Sequence, residues 1–310
     1  MSTTSTPITR IRPDRYHRRD ALAALDPATD HVEIYRALSG LEFPWDIQQA
    51  LSLALFRTYA VPSIGRLLAA TGEFTERTQK RYDDTGLILE TVLANGFEHP
   101  EGRAAVRRMN QMHRSYDISD DDLRYVLCTF VVVPLRWVQR WGWRRHTEVE
   151  KVATANYYRE LGRHMGIRDI PATWQEFESL LDAYETEHFG YDPGGRAVAD
   201  ATLDLATTFP PNDRVPAALS RTFLLALMDE PLLDALGYPF PPRPVRIAAD
   251  AALRARAAVV RRMAVRTEPF SLQQSPSIRS YPDGFDVREL GTFPATCPVP
   301  HDARRAGPAA

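Results

Sequence analysis

The stretch Ser119-Asp120-Asp121-Asp122-Leu123-Arg124-Tyr125-Val126-Leu127-Cys128-Thr129-Phe130-Val131-Val132-Val133-Pro134 decides the fold class. Ser119 is a strong helix cap, and the three aspartates after it sit where a helix dipole favours negative charge. The apolar run that follows is rich in β-branched residues and could be argued as a strand. Its length and its flanking cap favour a buried helix over about 119–143, with Pro134 bending it.

Outward from this helix, apolar residues recur with helical rather than alternating spacing. Upstream, helices are expected over 31–38, 46–58, 75–94 and 101–114. Pro62 starts another, and Asn95-Gly96 ends the helix over 75–94. Downstream, helices are expected over 146–165, 173–188, 195–209, 213–228 and 244–264. The fold class is all-α, with little or no sheet. Residues 1–19 read as a loose Ser/Thr- then Pro/Arg-rich arm, residues 20–264 as one helical body, and residues 265–310 as a Pro-rich tail, extended on the body or disordered. The tail holds a Pro-x-Pro at Pro298–Pro300 and a small-residue end, GPAA.

Composition excludes several function classes. The 310-residue chain is 44% hydrophobic and 25% charged with a net charge of −2, so nothing draws it to nucleic acid or anionic lipid. Of its 38 basic side chains 36 are arginine, Lys80 and Lys151 being the exceptions; this is compositional drift rather than mechanism. Cys128 and Cys297 make neither a disulfide framework nor a metal knuckle. The start lacks the apolar core of a signal peptide, and no apolar run is long enough to span a bilayer. A cytoplasmic location is expected, while oligomeric state has no signature in the sequence.

Among the eight histidines, His17 and His301 fall in the loose ends, His31 begins a helix and His99 precedes a proline. His113 differs. Ala105, Met109 and Met112 lie along one helix face with His113 beside them. An imidazole in that setting can ligate a metal or haem iron, or serve as a hydrogen-bonded core or cap residue. Glu185-x-x-His188 matches one half of a ferritin-like di-iron pattern, whose second copy is missing. The aspartates 120–122 are better explained as a cap than as a Mg²⁺ site. Cys128 lacks the electropositive setting of a thiolate ligand. Arg81 and Thr85 stand one turn apart on a shared helix face, able to grip a carboxylate or to form an ordinary solvated face.

These residues gain meaning as an ordered set. Ala54-Leu55-Phe56-Arg57-Thr58-Tyr59-Ala60-Val61-Pro62-Ser63-Ile64 is followed by Arg81-x-x-x-Thr85 and by Arg108-Met109-Asn110-Gln111-Met112-His113-x-x-Tyr116. Tyr125-Val126-Leu127, Pro134-Leu135-Arg136-Trp137 and Tyr184-Glu185-x-x-His188-Phe189 come next. The order and spacing, over roughly 40–240, resemble the family that joins the ER-bound oxygenase MpaB of mycophenolic acid biosynthesis to the latex-clearing rubber oxygenases, with the closer likeness to the MpaB branch. The resemblance implies a single large globin-reminiscent helical domain enclosing a haem b pocket. It also implies O₂-dependent oxidation of a lipophilic, isoprenoid-like substrate, known in the family as cleavage of a carbon–carbon double bond. It places the proximal iron ligand at His113 and the family's Arg and Thr near the haem at Arg81 and Thr85. Arg108 and Tyr116, in the same motif as His113, are further candidate cofactor contacts, and Arg81, Thr85 and Asp84, the last as a proton-handling group, are the candidate catalytic residues. Asp84 stands where rubber oxygenases carry an iron-capping lysine, and no partner is found for their distal glutamate. The MpaB branch has a membrane anchor, for which this sequence shows no apolar run.

The expected mechanism has neutral His113 on the iron and a dry pocket walled by the 119–143 helix and the segment 54–68. A di-iron oxidase on Glu185 and His188, and a non-catalytic helical haem-binding protein, are the alternatives.

Overall fold

A computed structural model describes residues 14–291. Pro298–Pro300, Cys297, His301 and the GPAA end lie outside these residues. Fourteen α-helices follow one another among the described residues: α1 His17–Leu22, α2 His31–Ala37, α3 Pro44–Tyr59, α4 Pro62–Ala70, α5 Glu73–Glu76, α6 Thr78–Asn95 and α7 Pro100–His113, then α8 Asp120–Trp141, α9 Glu148–Met165, α10 Trp174–His188, α11 Pro193–Thr207, α12 Ala217–Ala226, α13 Glu230–Ala235 and α14 Arg243–Arg262. No strand occurs among the described residues.

The helices start and stop where local chemistry dictates. Ser119 accepts the Asp122 backbone N–H at 3.0 Å, which caps α8, while Asp120 and Asp121 pair with Arg168 and Arg124. Asp122 turns inward to accept the hydroxyls of Ser63 at 3.0 Å and Tyr184 at 2.9 Å. Thr147 and Glu150 form a reciprocal capping box at the start of α9. Proline occupies the first turn of α3, α4, α7, α11, α13 and α14, where its missing N–H costs nothing.

The apolar helix α8 is the centre of the molecule. It packs chiefly on α3, α10 and α9, burying Tyr125, Leu127, Cys128, Val131, Val132, Trp137 and Val138. A second apolar cluster gathers Phe56, Tyr59 and Phe74 against Val198 and Leu203 of α11 and Leu232, Leu233 and Leu236 around α13. There α4 and α11 touch backbone to backbone, since a Cβ on Gly65 would lie 2.8 Å from Gly195 Cα. A buried charge cluster completes the frame: Arg144 bonds Glu42 and Glu150 through both terminal nitrogens, at 2.7–2.8 Å, and Arg18 of α1 adds a 2.9 Å bond to Glu42.

Three local expectations change. Helix α1 begins within the stretch read as a loose arm, because Leu22 is buried and Arg18 is drawn to Glu42. The helix expected over 75–94 is divided, with the short α5 ending at Glu76 and α6 starting at Thr78. The helix expected over 213–228 shortens to α12 behind a 3₁₀ turn, and α13 is an additional element. Residues 265–291 run across the body with one 3₁₀ turn of their own, Leu272–Gln274, and set Val287 and Leu290 into the core.

Candidate active site

The short connection from α6 to α7 folds the two helices against each other. Gly96 takes φ +80°, and a side chain on Gly102 would strike the Gly96 carbonyl, so the helices meet at close quarters. Three of the residues singled out from sequence lie on α6, Arg81, Asp84 and Thr85, and two lie on α7, Arg108 and His113, which is the last residue of that helix.

Arg81 donates to the Thr85 hydroxyl, and Thr85 in turn donates to the Arg81 carbonyl at 2.8 Å. The guanidinium carbon lies 5.1 Å from the ring centre of Phe74, with the carboxylates of Asp84 and Glu73 and the phenols of Tyr59 and Tyr116 around it. Burial lowers its proton affinity, against the pull of those groups. Arginine remains a cation even so.

His113 is partly accessible, yet its surroundings are dry enough to push its pKa down to about 4, through burial first and the charge of Arg81 second. The imidazole is therefore neutral at pH 7, the form that can ligate a metal. No hydrogen bond to a described residue contributes to that shift. Ala105 and Met109 are buried on the same helix face, and Met112 packs against the core.

Asp84 is buried and engaged twice, by Lys80 Nζ at 2.7 Å and by the Tyr281 hydroxyl. Burial first, and the Asp84 carboxylate second, push the Tyr281 phenol well above its ordinary range. Arg108 donates through Nε to the Leu290 carbonyl and stands in the field of Asp84, Glu289 and Tyr281. The structure thus brings Arg81, Asp84, Thr85, His113 and Tyr116 into one neighbourhood, and sets Arg108 at its edge, facing the C-terminal segment.

Beside this neighbourhood lies a cavity of about 940 Å³. Thr85 is the link between them, since it lines the cavity and bonds Arg81; His113 itself is not on the cavity wall. The lining is largely apolar, with Ile47, Leu51 and Leu55 of α3, Leu89 of α6, Phe130 of α8 and Tyr157 of α9. The sequence-based expectation of walls from 54–68 and the 119–143 helix is met only by Leu55 and Phe130. Elsewhere on α8, Tyr125, Leu127, Val131 and Val132 are buried in the core, while Val133, Trp137 and Trp141 face a separate, smaller cavity of about 240 Å³.

Other candidates are occupied. Glu185 accepts Arg57 Nε at 2.6 Å and Arg57 Nη2, as well as the Tyr125 hydroxyl at 3.2 Å. The His188 ring stacks on Tyr184 with centroids 3.9 Å apart and has Nδ1 3.0 Å from the Tyr184 carbonyl. Among the described residues no group of three or more His, Cys, Asp or Glu side chains could hold a metal ion. Burial raises the Cys128 thiol to about 12, so it is no thiolate at neutral pH.

Sequence reasoning missed Tyr281, which bonds Asp84 from a distant part of the chain, and Tyr59, buried beside Arg81. For Tyr281 the available signal was an aromatic pair, Tyr281 and Phe285, in an otherwise polar Pro-rich segment.

Fold and site define a class first: an all-helical protein that brings an imidazole, a guanidinium and a threonine hydroxyl together from two successive helices beside a large apolar cavity. Residues 47–262 match the family described as ER-bound oxygenase mpaB/B'/rubber oxygenase, catalytic domain, and the chain belongs to that family. It is 30% identical over 227 residues to the ER-bound oxygenase mpaB' of Penicillium brevicompactum, covering 67% of this chain and 53% of the relative. It is likewise 30% identical to the ER-bound oxygenase mpaB of the same organism over 236 residues, 69% of this chain and 59% of the relative. A third relative, the ER-bound oxygenase mpaB of Penicillium roqueforti (strain FM164), is 30% identical over 225 residues, 66% of this chain and 74% of the relative. The chain thus spans little more than half the length of the first two. No helix among the described residues is long and apolar enough to cross a membrane.

Proposed function

We propose that this protein is a haem b-dependent oxygenase that uses O₂ to oxidise a lipophilic, isoprenoid-like substrate, with His113 as the iron ligand. The observation that carries the reading is the pairing of a neutral His113 imidazole with the Arg81–Thr85 couple in a chain of this family. The residues present suit the cofactor. Ligation needs an unprotonated ring nitrogen, and burial with Arg81 supplies one at neutral pH. The neighbouring cavity of about 940 Å³, with Thr85 but not His113 on its wall, is at the upper end of the roughly 300–1,000 Å³ that organic ligands occupy and suits the substrate.

Haem, when bound, would supply the oxygen chemistry, and the chain's own residues would set ligand, charge and substrate pose. His113 would hold the iron. Arg81, fixed by Thr85, would carry the positive charge that suits a propionate or an oxygen-derived anion, with Arg108 and Tyr116 as further cofactor contacts. Asp84, held between Lys80 and Tyr281, would be the proton-handling group beside Arg81. The apolar cavity would take the substrate and exclude water from it. Cytoplasmic placement remains our reading of the sequence, beside relatives whose names describe them as ER-bound.

The test is reconstitution with haemin, followed by oxygen uptake and product analysis with prenylated aromatic compounds and short polyisoprenes. Turnover that depends on haem and oxygen is the expected result. Stoichiometric haem binding without consumption of any olefin would point instead to a haem carrier.

A further inference from the structure

Residues 265–291 lie beyond the stretch that matches the family, 47–262, yet they supply one whole wall of the 940 Å³ cavity. Pro269, Phe270 and Leu272 form one part of that wall, and Phe285 and Val287 the other. The opposite walls belong to helices whose positions are fixed by packing.

This strap is fastened through its backbone. The Phe270 N–H donates to the Gly40 carbonyl at 2.8 Å. Glu90 of α6 accepts the N–H groups of Leu272 at 2.5 Å and Gln273 at 3.0 Å, one on each carboxylate oxygen. Asp83 accepts those of Arg279 at 3.1 Å and Ser280 at 2.9 Å. Carboxylate–amide bonds of this kind are charge-assisted. They set the path of the strap while leaving the Phe270, Leu272 and Phe285 side chains to pack by shape alone. Gly86 keeps α6 bare beneath the strap, for a Cβ there would strike the Leu272 side chain. The same segment reaches the catalytic neighbourhood, through Tyr281 on Asp84 and through the Leu290 carbonyl on Arg108.

We infer that the strap is the selectivity wall of the cavity: Phe270, Leu272 and Phe285 set the length and bulk of the apolar ligand admitted beside Thr85. This rests on the reading of the cavity as the substrate's site. A segment with a single 3₁₀ turn can exchange side chains without disturbing a helix register, so it is where ligand choice is most freely adjusted. The ligand it suits is elongated and mostly apolar, running between the strap and the α3 and α6 walls.

The experiment measures binding of geraniol, farnesol and geranylgeraniol to the full chain by thermal shift, which needs no turnover. It compares wild type with Leu272→Ala, Phe270→Ala and Leu272→Trp, and with Leu51→Ala on the opposite wall. The two alanine variants should move the preference toward the longer prenols, changing the ratio of dissociation constants about tenfold or more, and Leu272→Trp should move it toward the shorter. A strap that only stabilises the fold would lower all melting temperatures and leave the order of preference alone. Should Leu272→Ala not fold, Phe285→Leu reads the same wall. An unchanged order in every strap variant, or a shift only in Leu51→Ala, overturns the inference, as does failure of all three prenols to bind the wild type. Haem content, read in parallel from absorption, separates the two claims. A chain that takes no haem but whose prenol preference follows the strap refutes the haem-dependent reading and leaves the wall standing.

Discussion

The charge of Arg81 on α6 reaches the imidazole of His113 on α7 and adds to burial in holding that ring neutral, at a pKa of about 4. Most of α6 and most of α7 lie between the two residues in the chain, and packing of these successive helices brings them together. A cation beside a would-be iron ligand has two consequences: it keeps the ring unprotonated, and it places positive charge where an anionic cofactor group could lie.

Thr85 is the hydroxyl that holds Arg81 in place. Thr85→Val keeps the shape and removes the hydrogen bond, and is expected to weaken haemin affinity about tenfold, the size of one lost charge-assisted bond. Haemin titration followed by absorption checks this. Affinity equal to wild type would remove Thr85 from the cofactor's surroundings.

Glu185 is expected to act through Arg57 and not through iron. Glu185→Ala leaves the largely buried Arg57 with only Asp229, whose side chain is half exposed. The expected loss is about 3 kcal/mol of stability, with haem content unchanged. Denaturant unfolding together with metal analysis decides the matter, and loss of non-haem iron in this variant would revive a di-iron centre.

Arg144 is the sole residue bonded to both Glu42 and Glu150 among the hydrogen bonds of this buried cluster. Arg144→Ala leaves Glu42 with Arg18 and Glu150 with the Thr147 N–H, and removing the cation they share should cost about 3 kcal/mol. The midpoint of urea unfolding should fall accordingly, and Arg144→Lys should recover only part, since an ammonium cannot serve both carboxylates in forked geometry.

His146 links stability to pH. Burial first, then Arg144 and Lys151, lower its pKa to about 3, and its Nε2 is buried without a partner among the described residues. Between pH 6.5 and about 3 the unfolded chain binds the proton that the folded chain refuses. Its contribution is therefore complete above the unfolded pKa and is lost as pH falls toward the folded one. His146→Phe should flatten the acid limb of the melting-temperature profile. A limb as steep as that of the wild type would show that other groups dominate.

Much of the fold was legible because its signals are local. The Ser119 cap, the prolines at helix starts and the Asn95-Gly96 stop all act within a turn of themselves, and the helices begin and end close to where these residues place them. Arg81 and Thr85 could be paired from their spacing alone. The nearness of His113 to Arg81 could be anticipated from the short connection after Gly96, which makes α6 and α7 neighbours. What escaped depends on contacts distant in sequence. Leu22 and Arg18 order α1 only because Glu42 and the core receive them. The strap has almost no periodicity, since its order comes from Glu90, Asp83 and Asp84 on a helix nearly two hundred positions away. The cavity walls were misplaced for a related reason: an apolar helix face does not announce whether a neighbour or an empty space will meet it.

The most direct test of the central claim is the absorption spectrum of the purified full chain, expressed with added haem precursor, beside that of His113→Ala. A Soret band and a b-type pyridine haemochrome are expected in the wild type, with the band lost or strongly shifted in the variant while the fold survives. A colourless wild type that also fails to bind added haemin, or a variant whose spectrum matches the wild type, would contradict it.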